Sequence, residues 1–339
     1  MATIKEIAAL AGVSRGTVDR VLNHRGCVSP ATAEKIERLA RDLDYRPNRA
    51  GLVLAAQKKN LTLGVILFSG DNPFYIDVLA GVQEKAQELS CYNCTVLVRQ
   101  IAGSVEAQLE AMDQLVREGA VGIALAPYND ERIRRRIDQL SRKKIPVVTL
   151  NTDIENSRRI AYVGSNYFKS GATAAGLLRL MTRGQVCVGI ITGSSNILCH
   201  TERIAGFTEA LKPFQDSIRI LQIMEVHDSE EESYEKTRTL LSVHPEINAL
   251  YFAAGGVWGG CRGAASLGLQ GKLRIIANDL VPTTRQLVEE GTIAAVICQQ
   301  PKVQGSRPLD LLFTYLTTGQ LPENEHHYVM TDIRIRENL

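Results

Sequence analysis

From Leu61 onward the chain alternates short apolar runs with helical stretches, and that alternation restricts it to a parallel α/β architecture. The runs TLGVILF (62–68), CTVLVRQ (94–100), VGIALAP (121–127) and IPVVTLN (145–151) form one series. A second series follows, VCVGIIT (186–192), INALYFAA (247–254), LRIIAND (273–279) and AAVICQQ (294–300). Near-continuous apolar runs of this length mark strands buried on both faces, and such strands need a crossover helix between them. Two doubly wound lobes are expected. Ligands of open parallel sheets sit beyond the carboxyl ends of the strands. The polar residues just after the runs, Asp71-Asn72, Asn151, Asn278-Asp279 and Gln299-Gln300, are therefore candidates to converge on one cleft between lobes.

The first 60 residues follow a different pattern. Thr3 can cap a helix while Glu6, three residues on, reaches back to the cap; Ile4, Ile7, Ala8 and Ala11 then share one apolar face and Gly12 ends the helix. Ser14 can cap a second helix with Val18, Val21 and Leu22 inward and Arg15, Gly16, Asp19, Arg20 and Asn23 on the opposite face. A helix of that kind fits a DNA major groove. Ser29-Pro30 opens a third helix whose stripe, Ile36, Leu39, Ala40 and Leu43, runs to about Asp44. Beyond Pro47 lies a further short helical stretch with Gly51 in its middle. Nucleation cost and the internal glycine, worth roughly 1 kcal/mol against alanine, make it dependent on a partner or DNA.

Charge supports the division. Residues 1–60 hold 11 Lys/Arg against 6 Asp/Glu, hence +5, whereas residues 61–339 hold 28 against 31, hence −3. A basic module of this size follows phosphate, and its affinity for DNA depends steeply on salt. The N-terminus has no signal-peptide apolar region and no long uninterrupted apolar run follows, which reads as a soluble, cytoplasmic protein. Seven scattered cysteines suit a reducing compartment, and Cys91 and Cys94, though a CxxC, fall in a helix-to-strand turn with no second pair or histidine at ligand spacing. No metal site and no cofactor are expected. The arginines at 132–136 and the basic residues at 142–144 read as the solvated face of a helix that buries Ile133, Ile137 and Leu140. GGVWGG (255–260) lacks the spacing of a dinucleotide loop, GSS (193–195) is no nucleophile elbow, and an enzyme is not expected.

The span Thr3–Ala56 resembles the DNA-binding headpiece of LacI/GalR-family transcription regulators through T-I-K-E-I-A, A-G-V-S, T-V-x-R-V-L-N, V-S-x-x-T and Y-x-P-N-x-x-A-x-x-L. The remainder resembles the type I periplasmic sugar-binding fold through N-P-F-Y (72–75), P-V-V-T-L-N (146–151), E-R-x-x-G-F (202–207) and A-N-D (277–279). The resemblance implies a helix-turn-helix headpiece at 1–46, a hinge helix and linker at 47–60, and an effector-binding and dimerisation domain at 61–339. The N-lobe would take about 61–162 plus 300–317, and the C-lobe about 163–299 plus 318–339. It further implies a homodimer on a pseudo-palindromic operator, with no membrane partner.

Carried over by position, Arg15, Gly16 and Arg20 would face base edges and Thr3, Ser14, Thr17 and Asn23 phosphates. Asn48 and Ala55 would also contact DNA, and Leu54 would wedge into the minor groove. Around the effector the resemblance suggests Asn72, Phe74, Tyr75, Asn151, Thr201, Gly255, Asp279 and Gln299, with Trp258 able to stack on the ligand. Amides, carboxylates and aromatic faces together suit a hydroxyl-rich molecule. Asn151 stands where Asp is frequent, Thr152 and Thr201 where arginines are found, and Gly255 where an amide is expected, so the sugar is not named by the pattern. The expected function is a transcription regulator, a repressor, controlled by a small sugar-like effector, with a nucleobase corepressor as the alternative and a solute-binding protein as a remote one.

Overall fold

The computed structural model describes residues 3–22, 28–43, 60–68 and 72–339. Three short helices open the chain: α1 (Ile4–Ala11), α2 (Arg15–Leu22) and α3 (Pro30–Asp42). The capping box forms as expected, with Glu6 N–H donating to Thr3 Oγ1 and Thr3 N–H to Glu6 Oε2 at 2.8 Å, and Gly12 ends α1 at φ 73°. Ser14 caps α2 through Thr17 N–H at 3.1 Å, and Ser29 caps α3 through Thr32 N–H at 3.3 Å. Ile7, Ala8, Ala11, Val18, Val21 and Ile36 close a small core of their own. Lys35 Nζ adds a bond to the carbonyl of Ala11, 3.0 Å away, at the open C-terminus of α1. Leu43, expected in the buried stripe, lies just past the end of α3 and is 37% exposed.

The α/β region forms two six-stranded sheets. The first takes β1 (Leu61–Phe68), β2 (Cys94–Ile101), β3 (Gly122–Leu125), β4 (Val147–Leu150), β5 (Ala161–Gly164) and, late in the chain, β11 (His326–Tyr328), in the order β11-β5-β4-β3-β1-β2. The second takes β6 (Val186–Thr192), β7 (Ile218–Glu225), β8 (Ala249–Phe252), β9 (Arg274–Asn278), β10 (Ala295–Gln299) and β12 (Thr331–Arg334), in the order β12-β10-β9-β8-β6-β7. Pairing is parallel except between β10 and β12. The helices α4 (Phe74–Ser90), α5 (Val105–Arg117), α6 (Glu131–Arg142), α7 (Tyr167–Met181), α8 (Leu198–Leu211), α9 (Glu230–Val243), α10 (Val257–Ser266), α11 (Pro282–Glu289) and α12 (Pro301–Thr318) supply the crossovers and cover the faces.

β5 carries the first sheet to Gly164. The segment 318–339, expected in the second lobe, is shared: β11 extends β5 in parallel register, and β12 alone joins the second sheet. The free edge of β5 receives the chain as it leaves α12, which packs on the first lobe. There Gly305 and Gly81 let α12 and α4 touch backbone to backbone, since a Cβ at Gly305 would lie 2.0 Å from the carbonyl oxygen of Val78. The second lobe repeats the device at Gly171 and Gly206, between α7 and α8.

Cys91 and Cys94 sit at the turn from α4 to β2, the first exposed and the second buried. The arginine-rich α6 buries Ile133, Ile137 and Leu140, and its arginines pair with Glu106, Asp113, Asp130, Glu131 and Asp138.

Candidate functional site

A cleft of about 520 Å³ opens where the carboxyl ends of the two sheets face one another. Of the expected residues, Asn72, Phe74, Tyr75, Asn151, Gly255, Asp279 and Gln299 line it. The first lobe contributes an aromatic wall. Phe68 meets Tyr75 and Tyr128 edge to face, with centroids 5.8 and 4.9 Å away, and Phe74 meets Tyr75 at 5.6 Å. Asn72 Oδ1 accepts from the N–H of Phe74 at 3.0 Å and so fixes the first turn of α4, from which both rings project.

The floor is a chain of hydrogen bonds that crosses between lobes. Tyr75 OH donates to Asn151 Oδ1 at 2.9 Å, and Asn151 Nδ2 donates to Tyr167 OH at 3.0 Å and to Gln304 Oε1 at 3.2 Å. Gln299 Oε1 accepts from Tyr167 OH, Ser165 Oγ and Gln304 Nε2, at 3.0, 3.0 and 2.9 Å. Gln299 Nε2 in turn donates to Asp279 Oδ1 at 3.0 Å. Burial pushes the Tyr75 and Tyr167 phenols well above their usual range, so both stay neutral donors.

The second wall was only partly legible. Arg203, 4% exposed, lies 3.7 Å from Asp279, donates from Nη1 to the carbonyl of Ala253 at 2.7 Å and stacks over Tyr167 at 4.8 Å. Its Nε has no partner among the described residues. The guanidinium lines the cleft while its Nη atoms are held by Ala253 and Asp279. Burial opposes its charge, but Asp279 holds it charged; burial likewise raises the carboxyl of Asp279, with Arg203 and Gln299 pulling the other way. The His200 ring packs against Gly193, where a Cβ would lie 2.1 Å from Cε1, and its Nδ1 is 3.1 Å from the carbonyl of Ser194. Burial disfavours the protonated ring, yet Cys199 and Asp228 outweigh it and lift its pKa to about 9. Asp228 completes this wall.

Thr201 and Trp258 do not reach the cleft. The face of α8 turned inward carries Cys199, His200, Arg203, Gly206 and Phe207, which leaves Thr201 exposed with its hydroxyl on the carbonyl of Leu198 at 2.9 Å. The helical spacing of that buried stripe is the signal that would have favoured His200 and Arg203. Trp258 packs against the apolar core of the second lobe, because α10 leads away from the cleft after Gly255. Thr152 is fully buried and accepts from the N–H of Cys199 at 3.3 Å. Asn278 turns into the sheet, donating to Tyr251 OH and to the carbonyl of Phe252, both at 3.0 Å. Gln300 accepts from the N–H of Met330 at 3.1 Å. Asp71 lies outside the described residues.

On the headpiece, Thr3, Ser14, Arg15, Gly16 and Arg20 are exposed and Thr17 is half-buried. Ser14 and Thr17 bond to each other at 2.9 Å, and Arg20 Nε folds back to the carbonyl of Gly16 at 3.2 Å. Asn23, Asn48, Leu54 and Ala55 lie outside the described residues.

Known proteins resemble the chain in both parts. A periplasmic binding protein domain matches residues 63–321, and the lacI family of bacterial regulatory proteins matches residues 3–48. A ribose operon repressor of Halalkalibacterium halodurans is 27% identical over 297 residues, covering 85% of this chain and 83% of that protein. An HTH-type transcriptional repressor PurR of Vibrio parahaemolyticus is 31% identical over 215 residues, 62% of this chain and 61% of that one. Among solved structures, GanP, a glucose-galactose binding protein from Geobacillus stearothermophilus, superposes with a TM-score of 0.76 at 27% identity, covering 82% of this chain and 98% of its own.

Proposed function

The chain belongs to the periplasmic-binding-protein domain family and carries a headpiece of the lacI family of bacterial regulatory proteins; on that premise we propose that it is a repressor whose hold on operator DNA is set by a neutral polyhydroxylated effector in the cleft. The observation that carries the effector class is the charge of the cleft. Asp228 and Asp279 stand against Arg203 and protonated His200, and no lysine lines the cleft among the described residues. Such a site has no excess positive charge for a phosphate or carboxylate, while its amides, carboxylates and aromatic wall suit hydroxyls on an apolar ring. The ribose repressor and the glucose-galactose binding protein among its relatives favour the same class.

In this reading α2 enters the major groove with Arg15 and Arg20 toward base edges and Gly16 allowing close backbone approach. Thr3, Ser14 and Thr17 take phosphates, with Asn23 and Asn48. Two copies pair on a pseudo-palindromic site in the cytoplasm, and Leu54 and Ala55 of the hinge meet the minor groove. Effector binding changes the relation of the lobes through the bonded floor Asn151–Tyr167–Gln299, and thereby the hinge, coupling the sites by about 1 to 3 kcal/mol. No turnover is part of this role.

A nucleobase corepressor is the second reading, favoured by the rings of Phe74 and Tyr75 and by the purine repressor among the relatives. A thermal-shift panel of neutral sugars, polyols, sugar phosphates and purines separates the two. A rise in melting temperature with a neutral sugar or polyol is expected. A response confined to purines transfers the effector to the second reading, and one confined to sugar phosphates refutes the charge argument.

A further inference from the structure

The loop between β7 and α9 places one carboxylate in the cleft in an unusual way. Asp228 adopts φ 56°, in the left-handed region, and its Oδ1 accepts the N–H of Gly255 at 2.7 Å. A Cβ at Gly255 would lie 2.7 Å from that same oxygen. The two positions therefore share one slot: a side chain at 255 is excluded by the carboxylate arriving from 228. Gly255 thus supplies the N–H that holds Asp228, and Asp228 supplies the side chain that reaches the cleft.

The adjacent His227 is turned to Glu232, with Nδ1 2.9 Å from Oε2, and no lysine or arginine forms an ion pair with Asp228 among the described residues. Its field reaches Tyr75 and Tyr128 on the first lobe and His200 and Asp279 on the second. Asp228 lines the same cleft as these four residues. A carboxylate with one oxygen held by a backbone N–H keeps the other to accept hydrogen bonds, and it disfavours anions beside it.

We propose that Asp228 is the specificity-determining residue of the cleft, accepting hydrogen bonds from adjacent hydroxyls of an uncharged sugar and turning away phosphorylated ligands. This rests on the neutral-effector reading above. Asp279, already engaged by Gln299 and Arg203, orients the floor, whereas Asp228 selects among ligands.

The test is calorimetric titration of the full-length wild type, Asp228→Asn and Asp228→Ala with D-ribose, D-allose, D-galactose, D-arabinose, ribose 5-phosphate and hypoxanthine. The asparagine keeps the acceptor for Gly255 and tolerates the left-handed backbone, so the melting temperature of the free protein should hold. Expected is a loss of roughly 10-fold or more in affinity for the sugar the wild type binds, with the penalty against ribose 5-phosphate relaxed in Asp228→Asn. Equal sugar affinity in wild type and both variants overturns the role of Asp228 and leaves the neutral-effector reading standing. Wild-type binding of only the phosphate or hypoxanthine, or of no compound in the set, overturns both.

Discussion

Asn151 and Asp279 occupy equivalent places in the two lobes. Each is the first residue beyond a central strand, each is left-handed, at φ 61° and 67°, and each donates its N–H to the neighbouring strand, to Val163 and Ile297, at 2.9 Å. Asn and Asp are the side chains that tolerate this conformation best, so the backbone turn and the polar group in the cleft are one choice of residue. The amide serves the first lobe's floor and the carboxylate the second lobe's arginine.

Replacing Asp279 by alanine leaves Arg203 a buried guanidinium without its counter-charge. A loss of about 3 kcal/mol of stability is expected, because the remaining charge stays desolvated and unpaired. Asp279→Asn keeps the left-handed turn and the contact with Gln299. It should keep more of the stability while losing effector binding. Urea denaturation of both variants checks the order.

Protonation of His200 gives the protein a pH dependence on the alkaline side. Its pKa in the folded protein, about 9, lies above the ordinary 6.5, so the folded state binds the proton more tightly. The resulting stability is fully present below about 6.5 and lost as pH rises through about 9. Melting temperature should fall between these values in the wild type, and His200→Gln should flatten that part of the profile.

The close helix pairs tolerate no side chain. Gly305→Ala puts a methyl on the backbone of α4, and Gly206→Ala puts one 1.9 Å from the carbonyl oxygen of Phe168. Each should cost about 3 kcal/mol or more, since backbone rather than a rotatable side chain has to move. Thermal melts of the two variants are the measurement, and the Gly206 variant should also displace His200 and Arg203 and weaken effector binding.

The sequence made the long strands readable because β1 and β6 are buried on both faces and form unbroken apolar runs. It concealed β5, whose apolar run is cut short by Arg159 before it and Gly164-Ser165 after it, the three-residue β11, and β7, an edge strand whose outward residues interrupt the pattern. The cleft was visible where strands end, at Asn151, Asp279 and Gln299, since topology alone brings those ends together. Tyr167, His200, Arg203 and Asp228 come from helix faces and a loop, whose direction is set by packing. The glycines at 171 and 206 fix the turn of α8 that favours Arg203 over Thr201.

Gly16 in α2 is not required by space. An added Cβ would meet nothing closer than Ser14 Oγ at 3.8 Å. Gly16→Ala should therefore stabilise the helix by roughly 0.5 to 1 kcal/mol. Amide exchange of α2 in the full chain would slow. Operator affinity should fall in a gel-shift titration, because the methyl keeps the backbone from the bases.

A chain that joins sequence-specific DNA binding to a neutral-sugar cleft must hold its operator differently with and without the sugar. The most direct measurement takes the duplex enriched from a randomised pool by the full-length protein and titrates it, by fluorescence anisotropy, with and without the sugar that raises the melting temperature. A pseudo-palindromic duplex is expected, whose affinity changes by about 5- to 150-fold when the sugar is present. Its affinity should also fall steeply with added salt. Equal affinity for scrambled duplex, or an operator affinity that the bound sugar leaves unchanged, would contradict it.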